Sequence, residues 1–314
     1  MRRLLSLLLL LSVLTGVGAP LRAREHTAAG DTLRIMFWNL ENFFDWHGAE
    51  RHWTRKRFVS KCDKIAKAIL WCADKKGGLP DAIGFAEVEN RFVLNCLLRY
   101  TILDKLDYGI IHYDSPDRRG IDVALLYRKS SLKKVTARPV AVLDTLSRDT
   151  LKTRDILLAD FVTQGGDSLT IAVNHHPSKL GGADGVWRRE AAMRTLIESL
   201  PATGRARKVI VTGDFNDTPD NPVYARLEQE KGLKNLATKL SAQGKGTIRY
   251  NGKWELIDMF FVSGNTAAEM DIMQCPFLMV WDNVHAGYKP LRTYSGPRYM
   301  GGVSDHLPIF LVIH

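Results

Sequence analysis

The hydrophobic and polar positions of this chain switch between two periods, and strand-like runs outnumber helical ones. Residues 33–39 (LRIMFWN) are almost entirely apolar, as a strand buried on both faces requires. Over 54–71 the apolar residues Phe58, Cys62, Ile65 and Ile69 recur at helical spacing, with lysines read on the opposite face. Gly77-Gly78-Leu79-Pro80 stops that helix, residues 81–87 predict a second strand, and about 91–103 a second helix. Further strands are expected at 108–113 and 121–127, either side of a turn at 115–120, and near 138–143, 155–162 and 169–174. Residues 187–200 place Met193, Leu196, Ile197 and Leu200 on one helical face. The β-branched run 209–211 reads as a buried strand, followed by strands at 256–262 and 307–313. Residues 264–303, rich in Gly, Pro and aromatics, read as a long ordered loop. No gap looks like an interdomain linker, so residues 24–314 are expected to form one domain, with two layers of mixed sheet covered by helices.

The N-terminus carries a different signal. Arg2 and Arg3 precede the apolar run 4–17, and Ala19-Pro20-Leu21-Arg22-Ala23 offers a small-residue cleavage site. That is a signal-peptide pattern over 1–23, too short for a comfortable membrane span. An exported protein, periplasmic or extracellular, is expected, monomeric and without a stable membrane span after cleavage. A composition of 45% hydrophobic and 25% charged residues excludes a disordered or low-complexity chain. The net charge is +10; Arg2, Arg3 and Arg22 account for three of it, leaving +7. A basic surface favours polyanions such as nucleic acid or anionic lipid head groups, and a merely solvated basic face is the plainer alternative. Cys62, Cys72, Cys96 and Cys275 show neither a CxxC nor zinc spacing, so buried free thiols are at least as good a reading as disulfides.

The chemistry gathers at strand ends. In the stretch KVIVTGDFNDTP (208–219), Gly213 is expected to end the strand and free the backbone to turn. Asp214, Asn216 and Asp217 follow. A local turn uses the same residue types, but the design repeats elsewhere. Asn39 and Glu41 follow the first strand, Glu87 the second, and Asn174, His175 and His176 a third. Asp258 lies within a strand, and Ser304-Asp305-His306 precedes the last one. Carboxylates, amides and histidines at strand ends suit a hydrated Mg²⁺ with a phosphoryl substrate, because Mg²⁺ takes oxygen ligands and keeps waters. Histidine exchanges a proton near neutral pH.

The motifs WNLEN, FAEVEN, RRGIDVALLY, VNHHPS, GDFND, LIDMFF and SDHLP, in this order over 33–314, resemble the endonuclease/exonuclease/phosphatase superfamily, which includes pancreatic-type deoxyribonuclease, and in detail its secreted bacterial members. The resemblance implies a four-layered α/β sandwich of two packed mixed β-sheets flanked by helices. It also implies phosphoester hydrolysis by direct attack of water, dependent on Mg²⁺ or Mn²⁺. Glu87 matches the family's metal-binding glutamate, although Ala86 stands where Gln is usual. Asn39, Glu41 and Asp305 would complete the metal site, with Asn39 also serving the phosphate. Catalytic roles pass to His175, Asp214, Asn216, Asp258 and His306. His306, oriented by Asp258, would take the water's proton, and His175 or Asp214 would assist the leaving oxygen. Arg119 and Asn174 are expected to bind substrate, Arg119 as a phosphate clamp or else as a plain turn residue. His175 is preferred over His176, which fills an aromatic slot in relatives.

Nucleic acid is the first substrate reading. A phosphatase or lipid phosphodiesterase for inositol phosphates, sphingomyelin or small phosphoesters is the second, and a non-catalytic binding module the third. The apolar run 276–281 is the one hint of a membrane-inserting hairpin, a core strand being its commoner explanation. Arg118, Arg119, Lys179, Arg188 and Arg189 are expected around the cleft.

Overall fold

The computed structural model describes residues 32–48, 53–144, 146–179, 182–204, 207–264 and 266–314. The signal-peptide reading of 1–23 lies outside them. Two mixed six-stranded sheets form the centre. The first contains β1 (Leu33–Phe43), β2 (Ala82–Val88), β3 (Tyr108–His112), β4 (Asp122–Arg128), β13 (Ala268–Ile272) and β18 (Ile309–Ile313), in the order β13-β18-β1-β2-β4-β3. The second contains β5 (Leu132–Val140), β6 (Ile156–Thr163), β7 (Ser168–His175), β8 (Arg207–Asp214), β9 (Leu233–Asn235) and β12 (Asp258–Ser263), in the order β5-β6-β7-β8-β12-β9. In each sheet one central pair is parallel, β1 with β2 and β7 with β8, and the other pairs are antiparallel.

The unbroken apolar run of β1 now has its reason. Ile35 and Phe37 pack into the core shared with the second sheet, while Met36 and Trp38 pack with helix α1 (Arg55–Lys75). Gly84 lets the sheets meet, since a Cβ there would lie 3.0 Å from the Phe37 ring and 3.3 Å from Val173. Helix α1 is capped by the Thr54 side chain, which accepts from the Arg57 amide, and α2 (Arg91–Arg99) by Asn90 in the same way. These two helices cover the first sheet. Helices α3 (Ala183–Ser199), α4 (Ala225–Lys231) and α5 (Ala237–Ala242) flank the second. The layers are those the sequence predicts.

Several local expectations change. The stretch 264–303 is no loop: β13 extends the first sheet beside β18, and two hairpins follow, β14 (Met279–Trp281) with β15 (Tyr288–Pro290) and β16 (Tyr294–Ser295) with β17 (Arg298–Tyr299). Only Met270 of β13 is fully buried, so that strand shows no strong period. The apolar run 276–281 is a short turn followed by β14, burying Leu278 and leaving Trp281 half exposed, rather than a core strand. A third hairpin, β10 (Ile248–Tyr250) with β11 (Lys253–Glu255), and helices α4 and α5 fall where no element is expected. The strand expected near 138–143 is β5, which begins earlier because this edge strand carries exposed polar residues. All four cysteines are buried free thiols. No helix among the described residues is long and apolar enough to cross a membrane.

Candidate active site

Both parallel pairs deliver their C-terminal ends to one edge of the sandwich, and Asp214 sits at its centre. It is buried at the last position of β8. Asn39 Nδ2 donates to its Oδ2 at 3.0 Å, and the Asn216 amide donates to its Oδ1 at 2.9 Å. The Nε2 atoms of His175 and His306 lie 3.5 and 3.8 Å from the same Oδ2. Asp258 stands opposite Asp214 in the β8–β12 register, and its Oδ2 is 2.8 Å from His306 Nδ1. The His306 backbone is fixed as well. Its amide donates to Ser304 Oγ, Ser304 Oγ donates to the Asn39 carbonyl, and Trp38 Nε1 donates to the His306 carbonyl.

Charge follows from this geometry. Burial opposes protonation of His306, but Asp258 and Asp214 outweigh it and hold the imidazole well above its usual range. Burial raises Asp214 to about 7, against the pull of His306. His175 goes the other way, pushed well below its usual value by burial and then by Arg154 and Arg119, so it is neutral.

A second group lies on the first sheet. The β1–β2 register shifts between Asn39 and Phe43, and Glu41, Asn42 and Glu87 take left-handed φ values of 45°, 51° and 60°. Such backbone strain in non-glycine residues concentrates at functional sites, and here Glu41 and Glu87 both line the cavity. Glu87 accepts from the Asn42 amide (2.8 Å) and from both terminal nitrogens of Arg119 (3.2 and 2.9 Å). Glu41 accepts from Arg292 Nε (2.8 Å) and the Thr293 amide (2.8 Å), and Arg292 also reaches Asp305 at 3.0 Å. Burial, then Asp305, raises Glu41 to about 7. Below it the buried Lys61 donates to the Glu41 carbonyl (2.7 Å) and to Thr293 Oγ1 (2.9 Å). Burial lowers this lysine to about 8, against the attraction of Glu41. Lys61 is therefore not on the solvated face of α1. Its spacing from Phe58, Cys62 and Ile65 places it on the apolar stripe, a signal present in the sequence.

Around these groups lies a cavity of about 730 Å³. Glu41, Glu87, Asp305, His175, Asp214, Asn216, His306 and Arg119 line it. Asn174 does not: its amide is spent on the Thr212 and Ala172 carbonyls inside the sheet, against its expected role in binding substrate. Asn39 is buried too, with Nδ2 on Asp214 and Oδ1 on the Glu41 amide, so it positions those two residues rather than facing ligand. His176 packs edge-on against Phe215 at 4.8 Å, which leaves His175 as the histidine of the VNHHPS motif that lines the cavity. Arg118, Arg119 and Arg188 line the cavity as expected, whereas Lys179 pairs with Glu255 and Arg189 with Asp217. Arg292, Arg154 and Lys61 are the site residues sequence reasoning missed.

Glu41, Glu87 and Asp305 offer only oxygen atoms, the donor type a hard divalent cation takes, but Arg119 pairs with Glu87, and Arg292 with both Glu41 and Asp305. Among the described residues, Asp214, Asp258 and His306, and separately His112, Asp114 and Asp122, bring three ligand atoms within 4.8 Å of one another. In the first of these groups, however, Asp258 is fully buried and His306 Nδ1 is already engaged.

Residues 34–314 match the endonuclease/exonuclease/phosphatase family. The chain belongs to that family. Its members are phosphoester hydrolases that depend on a divalent metal. Nocturnin of Xenopus laevis is 24% identical over 247 residues, 71% of this chain but only 58% of that relative's length. The human Nocturnin catalytic domain, solved with a bound sulfate anion, superposes with a TM-score of 0.60 at 20% identity, over 90% of this chain and 94% of the other. A mannosyl-6-phosphatase of Bacteroides thetaiotaomicron gives 0.62 at 16% identity, over 90% and 99%. TDP2 of D. rerio, complexed with a single-strand DNA product, gives 0.56 at 14% identity, again over 90% and 99%. At these identities the likeness shows the fold.

Proposed function

We propose that this chain is a divalent-metal-dependent phosphodiesterase that hydrolyses nucleic-acid phosphodiester bonds by direct attack of water. The observation that carries the chemistry is the buried array Asp258–His306–Asp214 on a cavity also lined by Glu41, Glu87 and Asp305. Glu87, Glu41 and Asp305 would hold the ion, which supplies charge neutralisation at the phosphoryl group. His306, once deprotonated, accepts the water's proton at Nε2 while Asp258 holds Nδ1–H and fixes the tautomer. Asp214, raised to about 7, is partly protonated at neutral pH and gives its proton to the leaving oxygen. His175, neutral, takes part as a hydrogen-bond donor, and Asn216 keeps Asp214 in place through its amide. Arg119, paired with Glu87, offers a forked guanidinium to the phosphoryl oxygens when that carboxylate is engaged elsewhere.

The basic net charge and the cations on the cavity wall support a polyanionic substrate. One observation favours a second reading, a phosphatase for small phosphoesters: the cavity has the volume of a small-molecule pocket. Purified protein with Mg²⁺ separates the two when offered plasmid DNA, RNA, sphingomyelin, inositol phosphates and a hexose phosphate. Turnover of the small esters with both polynucleotides untouched would sink the nuclease reading. The reading includes export, with residues 1–23 removed, and rests on the signal-peptide pattern. A mass spectrum of protein recovered from expressing cells that shows 1–23 retained would refute it.

A further inference from the structure

One wall of the cavity supplies none of the residues given a catalytic or metal-holding role above. It is built from Arg118 in the β3–β4 turn, Lys152, Thr153 and Arg154 ahead of β6, and Arg188 of α3. None of these elements supplies a residue of the Glu41, Glu87 and Asp305 cluster. Arg119 and Arg292 are paired with the site carboxylates, whereas Arg118 and Lys152 have no ion-pair partner among the described residues. Arg188 reaches the Lys152 carbonyl at 3.3 Å, and Arg154 holds Asp117 and the His176 carbonyl. Three donors on this wall stay unpartnered: Thr153 Oγ1, Arg154 Nε and Arg188 Nε. Thr153 is 3% exposed and Arg154 8%. Buried donors left without acceptors are costly, and a tetrahedral oxyanion brings several acceptor oxygens at once. Asp184, also on the cavity wall, is the carboxylate that opposes an anion here; Asp117 is neutralised by Arg154.

We propose that Arg118, Lys152, Thr153, Arg154 and Arg188 form a subsite for a second phosphoryl group of the substrate, distinct from the one that is cleaved. The proposal rests on the phosphoester reading above and names the substrate class more closely: a molecule with two phosphoryl groups within one cavity's reach. Adjacent phosphates of a polynucleotide meet that description, and so does a small bisphosphate.

The test compares substrates that differ only in the second phosphate. One pair is thymidine 5′-(p-nitrophenyl phosphate) with and without a 3′-phosphate; the other is a hexose 1,6-bisphosphate against the hexose 6-phosphate. The wild type should favour the doubly phosphorylated member of at least one pair by about tenfold in KM, the size of one hydrogen bond to a charged group. The pair that shows the preference identifies the source of the second phosphate. Lys152→Ala, Arg188→Ala and Thr153→Val should each shrink that preference while leaving kcat/KM for bis(p-nitrophenyl) phosphate unchanged. Lys152 is exposed, so its substitution does not endanger the fold. Hydrolysis of bis(p-nitrophenyl) phosphate with no preference in either pair overturns the subsite alone, as does a preference that survives all three variants. Failure to hydrolyse any of these esters overturns the phosphoester reading, and the subsite with it.

Discussion

Removing the His306 imidazole should expose how much Asp258 depends on it. Asp258 is fully buried, its Oδ1 has no hydrogen-bond partner, and its Oδ2 meets His306 Nδ1 at 2.8 Å. The imidazolium is therefore its only close counter-charge among the described residues. In His306→Ala the carboxylate is left buried and uncompensated, which costs about 3–5 kcal/mol. For a domain of this size that lowers Tm by on the order of 10 °C at neutral pH. Asp258→Asn/His306→Ala removes both charges and should recover most of the lost stability at pH 7. Activity should not follow. Asp258→Asn leaves the imidazole in the wrong tautomer, a defect worth about 10⁴ in kcat in the serine-protease triad. The double variant should be little slower than His306→Ala, since groups that act as one unit do not contribute additively. Thermal unfolding by circular dichroism and turnover of bis(p-nitrophenyl) phosphate read the two effects. A His306→Ala protein as stable as wild type, or losses in kcat that multiply, would show that the two residues do not form a unit.

Two further outcomes follow from the same geometry. His306 is held well above its usual range and Asp214 is raised to about 7, so kcat/KM should follow a bell whose acid limb lies above pH 6.5, with limbs that belong to the coupled set. Asp258→Asn should move the acid limb down, and an acid limb below pH 6 in the wild type contradicts this assignment. The raised His306 stabilises the fold fully below its unfolded value, and that stability is lost as pH rises through its folded value. Gly213→Ala places a Cβ 2.3 Å from the Asn174 carbonyl, which forces β7 and β8 apart beside His175 and Asp214. A destabilisation of about 3 kcal/mol, at the upper end for overpacking, should come with a fall in kcat; an alanine variant with unchanged Tm refutes the close-approach argument.

Gly213 also shows where sequence reasoning and structure part. Its sequence context suggests a turn, but it lies within β8, paired on both sides, and what matters is the missing Cβ rather than a special φ. The strands that carry Glu87, His175, Asp214 and Asp258 were legible because buried strands write continuous apolar runs, and the polar residues that interrupt them stand out. Arg292 and Arg154 were not legible. Each sits outside regular periodicity, and its importance arises from carboxylates 251 and 37 positions away in the chain, Glu41 and Asp117. Asn39 and Asn174 were legible as buried-strand amides, but which side each faces depends on hydrogen bonds that sequence does not record. The VNHHPS motif left open which histidine lines the cavity. Packing on Phe215 decides it.

The most direct test of the central claim is a metal titration of the purified chain. Protein stripped with EDTA should not hydrolyse bis(p-nitrophenyl) phosphate. Mg²⁺ or Mn²⁺ should restore turnover saturably in the wild type, and Glu87→Gln should need at least tenfold more metal, as expected when one of a few carboxylate ligands loses its charge. Full turnover in the metal-stripped protein, or a Glu87→Gln titration that overlays the wild type, contradicts the account.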